Sequence, residues 1–324
     1  MNLPSKTSRW NVGLDPGCRI PGRTRFPLLA AALTSCALRV AGGDHPDEGF
    51  ASNVENEWFR AWPPASVSYS FPTEVRQDGV GLGELSTTLV HATYIQSVKH
   101  SQQFRWLLGG QWQRVESGVP SGVPIPETLQ SAAAVVGFDW FFHEGWRARL
   151  EVFPGVYSDF QDIGGEDLNA PFTVEVSYAL APDLLVGGQL NVNARREAPA
   201  LGAVGVRWRF AEDWLLSLWF PRPRLEYYPT EGVTLFAGAN IVAGSFVVAE
   251  EFGRDPGRPD LGGQTVDFRQ VQVGGGLRYH FRQKLAFELS GGWTLDQRYD
   301  FYDRGLDFEG SGTPYVQIGF GLTF

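Results

Sequence analysis

The sequence predicts an all-β fold, a closed antiparallel transmembrane β-barrel, and three observations lead to this prediction. From about residue 65 onward, apolar and polar residues alternate in one segment after another. The connections between these segments alternate between tight turns and longer loops. Beyond the N-terminal region, no stretch approaches the roughly 18 apolar residues of a membrane-spanning helix, so a bilayer would have to be crossed by strands.

The alternation is clear in the segment PFTVEVSYAL, Pro171 to Leu180. Val174 and Val176 fall on one face of the predicted strand, whereas Glu175 and Ser177 fall on the other. A period of two places one face in an apolar medium and the other in a polar one. A soluble β-sandwich alternates in the same way, so this pattern by itself leaves both folds open.

The connections distinguish between the two folds. Tight turns such as Ala181-Pro182-Asp183 alternate with loops rich in Gly, Pro and acidic residues, such as ESGVPSGVPIPE and EFGRDPGRPDLGG. Bacterial outer-membrane barrels have short periplasmic turns and long external loops. The intervening segments mostly run about 10 to 18 residues, against about 5 to 6 for an average strand of a soluble protein. The connections therefore favour a membrane barrel.

Counting the segments predicts about 14 strands, an even number as in single-chain bacterial barrels. One segment, WLLSLWFPRPRLEYYP from Trp214 to Pro229, lies between two short turns and must fold back on itself. We expect the reversal near Pro221 and Pro223, because proline cannot donate to a sheet. Both resulting strands would be short for a membrane crossing, so a barrel of about 12 strands remains an alternative.

The N-terminal region predicts export. Residues 1–42 contain arginines, an apolar run from Phe26 to Leu38 and the small residues of Val40-Ala41-Gly42, the pattern of a signal or targeting segment. A short buried helix is the alternative, and lipidation of Cys36 is left open by the processing-box pattern Leu33-Thr34-Ser35-Cys36. Residues 43–64 fit neither signal nor strand, and we expect a periplasmic lead-in to a barrel formed by residues 65–324, with a small insert at the barrel mouth as the alternative.

In such a barrel the apolar faces meet lipid and the polar faces line the lumen. Aromatic residues beside the tight turns fit interfacial girdles: Trp140, Phe142, Trp208, Phe210, Tyr279 and Phe281. The predicted lumen face is strongly charged, with Arg105, Asp139, Arg147, Arg149, Glu151, Glu175, Arg207, Arg209, Arg224, Glu226, Arg278, His280, Arg282 and Glu288. Such residues either pair across neighbouring strands and fill the interior, or form a polar pore whose charges select solutes.

Several classes of function are disfavoured by the sequence. The net charge of −9 argues against a nucleic-acid partner, because phosphate binding needs a basic surface. The histidines lack zinc spacing, and no phosphate-binding loop or nucleophile elbow is present, so we expect no metal, no cofactor and no enzymatic activity. Ser97 or Ser101 near His100 leaves a barrel-embedded lipid hydrolase as an alternative.

The last ten residues, YVQIGFGLTF, place large apolar side chains at alternate positions up to a terminal aromatic residue: Val316, Ile318, Phe320, Leu322 and Phe324. This resembles the C-terminal β-signal of bacterial outer-membrane proteins, the strand recognised by the barrel-assembly machinery. The resemblance implies export, insertion into an outer membrane, and lipid and the assembly machinery as partners.

A second resemblance concerns the segment FPRPRLEYYPTEGVTLFAGA, Phe220 to Ala239. It is similar to an uncharacterised family of outer-membrane β-barrels known as a domain of unknown function. That similarity would span roughly Ser66 to Phe324, and it implies a class of protein without a substrate or a catalytic residue.

Together these patterns predict a narrow outer-membrane channel or transporter for small polar solutes. A structural or adhesive barrel, with a lumen filled by Arg–carboxylate pairs and function carried by the loops, is the first alternative. The lipid hydrolase is the second.

Deleting Phe324 should impair membrane insertion, because the deletion removes the terminal aromatic residue of the assembly signal. Heat-modifiability of the protein on gels of membrane fractions measures this, since a folded barrel migrates differently from an unfolded one. Unchanged amounts of the heat-shifted band in the outer-membrane fraction would contradict the assignment.

Overall fold

The computed structural model describes residues 63–281, 285–310 and 312–322. The predicted signal segment 1–42 lies outside the described residues, as do most of the predicted lead-in 43–64, Arg282 and Phe324. The boundaries proposed for these N-terminal segments therefore stay predictions. In the described part of the chain, no helix is long and apolar enough to cross a membrane.

Strands dominate the structure, with three single-turn 3-10 helices at Gly165–Asp167, Pro259–Leu261 and Tyr302–Arg304. The strand segments are β1 (Ala65–Gln77), β2 (Val80–Lys99), β3 (Phe104–Gly118), β4 (Thr128–His143), β5 (Trp146–Val152), β6 (Gly155–Ser158), β7 (Leu168–Asn169), β8 (Phe172–Ala181), β9 (Leu184–Val192), β10 (Ala200–Ala211), β11 (Trp214–Ser217), β12 (Arg224–Thr230), β13 (Val233–Val247), β14 (Thr265–Phe281), β15 (Leu285–Phe301), β16 (Leu306–Gly310) and β17 (Thr313–Leu322).

These segments make a closed antiparallel barrel of 14 strands. β5 and β6 pair with the same neighbour β4, so they form one barrel strand interrupted by a short break. The pairs β7–β8 and β16–β17 likewise continue one barrel strand each. β1 pairs with β17, from Ala65 opposite Phe320 to Ser70 opposite Tyr315, which joins the ends of the sheet. The predicted barrel of 14 strands is confirmed, and the alternative of 12 is wrong.

The segment from Trp214 to Pro229 folds back where the prolines predicted it. β11 and β12 are joined by residues 218–223, which include Pro221 and Pro223, and Ser217 pairs with Arg224 at the reversal. β11 has only four residues and β12 seven, so both end well below the height of their neighbours. In the described part of the chain, residues 200–205 of β10 consequently pair with β9 on one side and with no strand on the other.

One predicted loop is shorter than expected. The Gly-rich and acidic stretch DRGLDFEGSG, residues 303–312, reads as loop by composition, but Leu306–Gly310 forms β16 and pairs with β15 and β1. The physical reason is a short alternation within the stretch, because Leu306 and Phe308 are buried while Glu309 faces outward. Burial of these two side chains outweighs the loop-like composition around them.

The barrel is apolar outside and polar over much of its inside. On β15, Leu289 and Trp293 are exposed, whereas Glu288 and Thr294 are buried. The rings that flank the tight turns form continuous rows of contacts on the outside, from Trp140 through Phe142 and Trp146 to Tyr178, and from Trp208 through Phe210 and Trp214 to Tyr227. An apolar belt with aromatic girdles is the arrangement of a bacterial outer-membrane barrel, as the sequence predicted.

The C-terminal strand follows the same pattern. Val316, Ile318 and Phe320 are exposed on the lipid face, and Gln317 between them is buried on the lumen face. The backbone of Leu322 ends β17, and its side chain lies outside the described residues. The role of this strand as an assembly signal stays a prediction.

The outer mouth of the barrel is filled by an apolar cluster that the sequence analysis did not predict. Its members come from the strand ends nearest the long loops and from two of those loops, with Val75, Leu85, Leu129, Phe246, Phe268, Tyr299, Phe301 and Phe308 from strands, and Ile125 and Leu261 from loops. A parallel bridge between Val247 and Ser158 of β6 ties β13 across this mouth. Because the barrel is closed, these buried side chains can only lie within it.

Leu289→Arg should destabilise the barrel by about 2–4 kcal/mol, because an arginine would replace an apolar side chain that faces hydrocarbon. Ile163→Arg is the matched control, since Ile163 is 55% exposed in an outer loop and Leu289 is 50% exposed on the belt. The control should change stability by less than about 0.5 kcal/mol. Urea unfolding in phospholipid vesicles measures both, and equal effects would contradict the assignment of the belt.

Candidate functional site: the lumen and its inward loop

The charged side chains of the lumen gather at the end nearest the tight turns. Strand register explains one group, because Arg105, Asp139, Arg149 and Glu175 stand directly opposite one another on the successive barrel strands β3, β4, β5 and β8. Their charges alternate in sign around the wall. Since neighbours on the same face of a sheet are about 5 Å apart, the register by itself brings opposite charges within pairing distance.

Asp139 is the centre of this group. Arg149 donates to it through two parallel hydrogen bonds, Nε to Oδ1 and Nη2 to Oδ2, each 2.8 Å long. Arg147 donates Nε to the same Oδ1 at 2.8 Å and Nη1 to Glu175 Oε1 at 3.4 Å. Glu151 lies 3.9 Å from Arg149 at the edge of the group. Bidentate pairing of this kind fixes both side chains as well as neutralising them.

A second group is centred on Glu288, which is fully buried. Its Oε2 accepts hydrogen bonds from Arg278 Nη2 at 2.9 Å and from Arg224 Nη1 at 3.4 Å. Both guanidinium groups also lie over the ring of Phe236, at 4.4 Å for Arg224 and 5.9 Å for Arg278. Two cations therefore share one carboxylate and one aromatic face, which leaves this part of the lumen positively charged.

The other predicted lumen residues that the structure describes lie at the same end of the barrel. Glu226 accepts a hydrogen bond from Tyr228. The guanidinium of Arg209 lies over the ring of Tyr228, with its Cζ 5.5 Å from the ring centroid. Arg105 lies over the ring of Phe141 at 5.5 Å. Two residues are half-buried on the strands that frame this region, Arg207 and His280.

A layer of buried amides separates the charged groups from the outer apolar cluster. Gln270, Gln272 and Gln297 are almost completely buried. Gln270 Nε2 donates to Ser70 Oγ at 3.1 Å and to Gln297 Oε1 at 3.0 Å, and Gln272 Nε2 donates to Ser68 Oγ at 3.1 Å. These side chains lie on the polar face of the alternation in β14 and β15, but nothing in the sequence distinguishes a packed amide from a solvated one.

The loop of residues 218–223 folds into the lumen. Trp219 donates Nε1 to Glu175 Oε2 at 3.2 Å, and Arg222 donates Nε to Asn240 Oδ1 at 2.9 Å. The indole lies against two glycines that face each other on β9 and β10, Gly187 and Gly205. A Cβ added at either glycine would overlap the ring, so the wall accepts Trp219 because these positions carry no side chain.

This loop also completes the wall where β11 and β12 stop short. Leu218 N donates to Val206 O at 2.7 Å, which extends the β10 edge. On the other side, Ala239 N donates to Pro223 O at 2.9 Å and Ile241 N to Pro221 O at 3.1 Å. The same six residues therefore serve as wall and as plug. Sequence analysis located this reversal but did not predict its direction, because a proline indicates a bend but not whether the chain turns into the lumen or away from it.

The described residues contain no group of three or more His, Cys, Asp or Glu side chains that could hold a metal ion. Two acidic residues of an outer loop instead accept backbone hydrogen bonds, Asp159 from Ala249 N at 2.9 Å and Asp167 from Gly164 N at 2.8 Å. They therefore stabilise loop conformation.

The residues weighed for a hydrolase do not form a catalytic group in the described part of the chain. Ser101 Oγ accepts a hydrogen bond from Gln103 N, and the ring of His100 packs against that of Phe104 at 6.2 Å. Ser97 and Lys99 are exposed near the end of β2. No hydrogen bond among the described residues joins either serine to His100.

No protein-family model matches the chain, and no curated protein matches it by sequence. Among solved structures it is similar to the "TodX monoaromatic hydrocarbon channel deltaS2 mutant", at 10% identity over 80% of this chain and 89% of that chain, with a TM-score of 0.45. The COG4313 outer membrane channel from Pseudomonas putida F1 is similar at 10% identity over 88% of this chain and 100% of that chain, with a TM-score of 0.42. At this similarity nothing about ligand or mechanism carries over to this chain.

Glu288→Gln should lower the free energy of unfolding by about 3–5 kcal/mol, because it leaves Arg224 and Arg278 buried without their shared carboxylate. Glu309→Gln is the control, since Glu309 pairs with Arg298 on the exposed outer end of the sheet. Exposed pairs contribute about 1 kcal/mol or less. Urea titration of the folded barrel measures both changes. A loss of unfolding free energy no larger for Glu288→Gln than for Glu309→Gln would contradict the pairing of buried Glu288 with Arg224 and Arg278.

Proposed function

We propose that the protein is an outer-membrane channel for small polar solutes, held closed in this structure by the loop of residues 218–223 together with the apolar cluster at the outer mouth. The observation that carries the proposal is the position of Trp219 and Arg222, which reach from this loop into a charged lumen. Both side chains are held in the lumen by hydrogen bonds, Trp219 to Glu175 and Arg222 to Asn240. These side chains can leave the lumen while the backbone hydrogen bonds that join the loop to the wall stay in place.

Barrel size supports the proposal. Barrels of about 8 strands are filled by the side chains of their own wall, whereas those of about 16 to 18 strands leave an aqueous channel. With 14 strands, this barrel lies nearer the wider class. Extra material is therefore needed to fill it, and the inward loop together with the outer apolar cluster supplies that material.

The height of the wall explains how so short a loop reaches the interior. Four residues of β11 span about 13 Å at about 3.3 Å per residue, about half the apolar band of an outer-membrane barrel. The loop therefore starts inside the barrel and not above its rim. A loop on strands of full length would have to descend that distance first.

The chemistry of the wall determines the expected class of solute. Below the apolar cluster the lumen presents amides, hydroxyl groups and Arg–carboxylate pairs, which suit polar solutes better than hydrocarbons. Paired charges in a pore wall can also discriminate between solutes by charge. We propose no catalytic role for these residues.

The first alternative, a structural or adhesive barrel, is favoured by a different observation. The apolar cluster at the outer mouth is as tightly buried as a soluble core, with Val75, Leu129, Phe268 and Tyr299 at 0 or 1% exposure. On this alternative the mouth never opens and the loops carry the function.

Conductance in planar lipid bilayers tests the proposal. Trp219→Ala and Gly205→Ala should each raise the conductance several-fold over the wild-type protein. Trp219→Ala removes the indole ring that fills the lumen, and Gly205→Ala places a Cβ where that ring packs against the wall. Gly188→Ala is the matched control on β9, since its Cβ would make only an ordinary contact, 3.7 Å from Ala203 O. It should conduct like the wild-type protein.

Heat-modifiability verifies that each variant is a folded barrel before conductance is compared. Folded Trp219→Ala and Gly205→Ala variants that remain as closed as the wild-type protein would overturn the channel proposal in favour of the structural barrel.

A further inference from the structure

A cavity of about 150 Å³ lies in the lumen beside the inward loop. Its polar wall includes Ser68 on β1, His91 on β2, Gln113 on β3 and Arg222 on the loop, with Asn240 on β13 and Gln317 on β17. Leu89, a member of the outer apolar cluster, forms part of its upper wall. The cavity therefore lies beneath the apolar mouth.

Two polar atoms in this wall, His91 Nδ1 and Gln113 Nε2, are buried and have no hydrogen-bond partner among the described residues. Burying a polar atom without a hydrogen-bond partner is unfavourable, and the great majority of buried polar atoms in folded proteins are paired. Register places them together, because His91 and Gln113 are directly opposite each other on β2 and β3. Two unpaired polar groups side by side on one cavity wall form a surface to which one polar ligand can hydrogen-bond at two points.

The electrostatic character of the cavity favours an anion. Gln113 Nε2 can only donate a hydrogen bond, and His91 Nδ1 donates in one of its tautomers. Arg222 supplies a positive charge from the loop, and its Nε is oriented by Asn240. In the neighbouring charged layer, the carboxylate of Glu288 is already shared between Arg224 and Arg278.

We infer that this cavity binds a small oxyanion, with Gln113 Nε2, His91 Nδ1 and the positive charge of Arg222 as its recognition groups. The inference rests on the proposed function in treating the lumen as a path for solutes, and it names the class of solute. A cavity of about 150 Å³ accommodates a molecule the size of benzene, so an oxyanion of about six non-hydrogen atoms or fewer fits. Short-chain carboxylates and inorganic phosphate share this chemistry.

Binding links the ligand to the loop. An oxyanion held by Arg222 from one side and by Gln113 on β3 from the other bridges the loop and the wall. Occupancy of the cavity should therefore favour the closed position of the loop to the extent that the ligand binds more tightly to the closed position than to the open one.

Saturation-transfer NMR on the purified barrel in detergent tests the inference with propionate, inorganic phosphate and the neutral isostere propionamide as probes. Saturable binding of propionate is expected, with phosphate competing if the site accepts inorganic oxyanions and not competing if it selects carboxylates. Either competition result supports the site. Propionamide binding as tightly as propionate would overturn it, because charge recognition would then be absent.

Variants identify the recognition groups. Gln113→Leu and Arg222→Gln should each weaken propionate binding by about tenfold or more, the range of a charge-assisted hydrogen bond. Arg222→Gln keeps an amide that can still reach Asn240, and Arg258→Gln in an exposed outer loop is the control for loss of one arginine. Undiminished binding in both cavity variants, or no saturable propionate signal in the wild-type protein, would overturn the inference.

This experiment separates the two proposals. Oxyanion binding in a barrel whose loop variants never conduct would support the cavity and refute the channel. Conductance in the Trp219→Ala variant without oxyanion binding to the wild-type protein would support the channel and refute the cavity.

Discussion

The structure depends on one requirement, that every backbone N–H and C=O group within hydrocarbon must find a partner in the protein. This requirement explains why the ends of the sheet are joined by pairing of β1 with β17, and why the loop of residues 218–223 supplies further backbone partners between β10 and β13. Alternation then follows, because each strand of a closed sheet has one face toward lipid and one toward the lumen. The outward rings, the inward charges and the buried amides are all consequences of that single division.

Filling the interior is the second demand, and the chain meets it in three different ways along the barrel axis. Apolar side chains pack the outer mouth, amides and hydroxyl groups occupy the middle, and Arg–carboxylate groups occupy the end near the tight turns. The inward loop connects these regions, since Trp219 reaches Glu175 in the charged region while Arg222 lies beside the cavity. Many of these side chains are paired or packed within their own region, whereas His91 Nδ1 and Gln113 Nε2 beside the cavity have no hydrogen-bond partner among the described residues.

The fold could be predicted from the sequence because its cause is local and repeated. Alternation, turn length and the paired prolines gave the strand number and the position of the reversal, and the faces of Glu175, Glu288 and Val316 followed from period two. The outer cluster could not be predicted in the same way, because Leu85 and Phe268 look like any apolar residues of a strand until the loops that cover them are in place. The cavity was equally hidden, since it depends on where a loop turns and on an empty space beside His91.

The shared role of residues 218–223 as wall and plug has an energetic consequence. If the loop leaves the lumen, Leu218 N, Ala239 N and Ile241 N lose their present partners at a place where the wall borders lipid. Hydrocarbon offers these groups no replacement, and each unpaired group costs several kcal/mol there. The bilayer thus favours the closed position of the loop. The free-energy cost of opening depends on how deeply water reaches the gap between β10 and β13, because water can pair with the exposed backbone groups. The surrounding lipid therefore helps to hold the loop in the lumen.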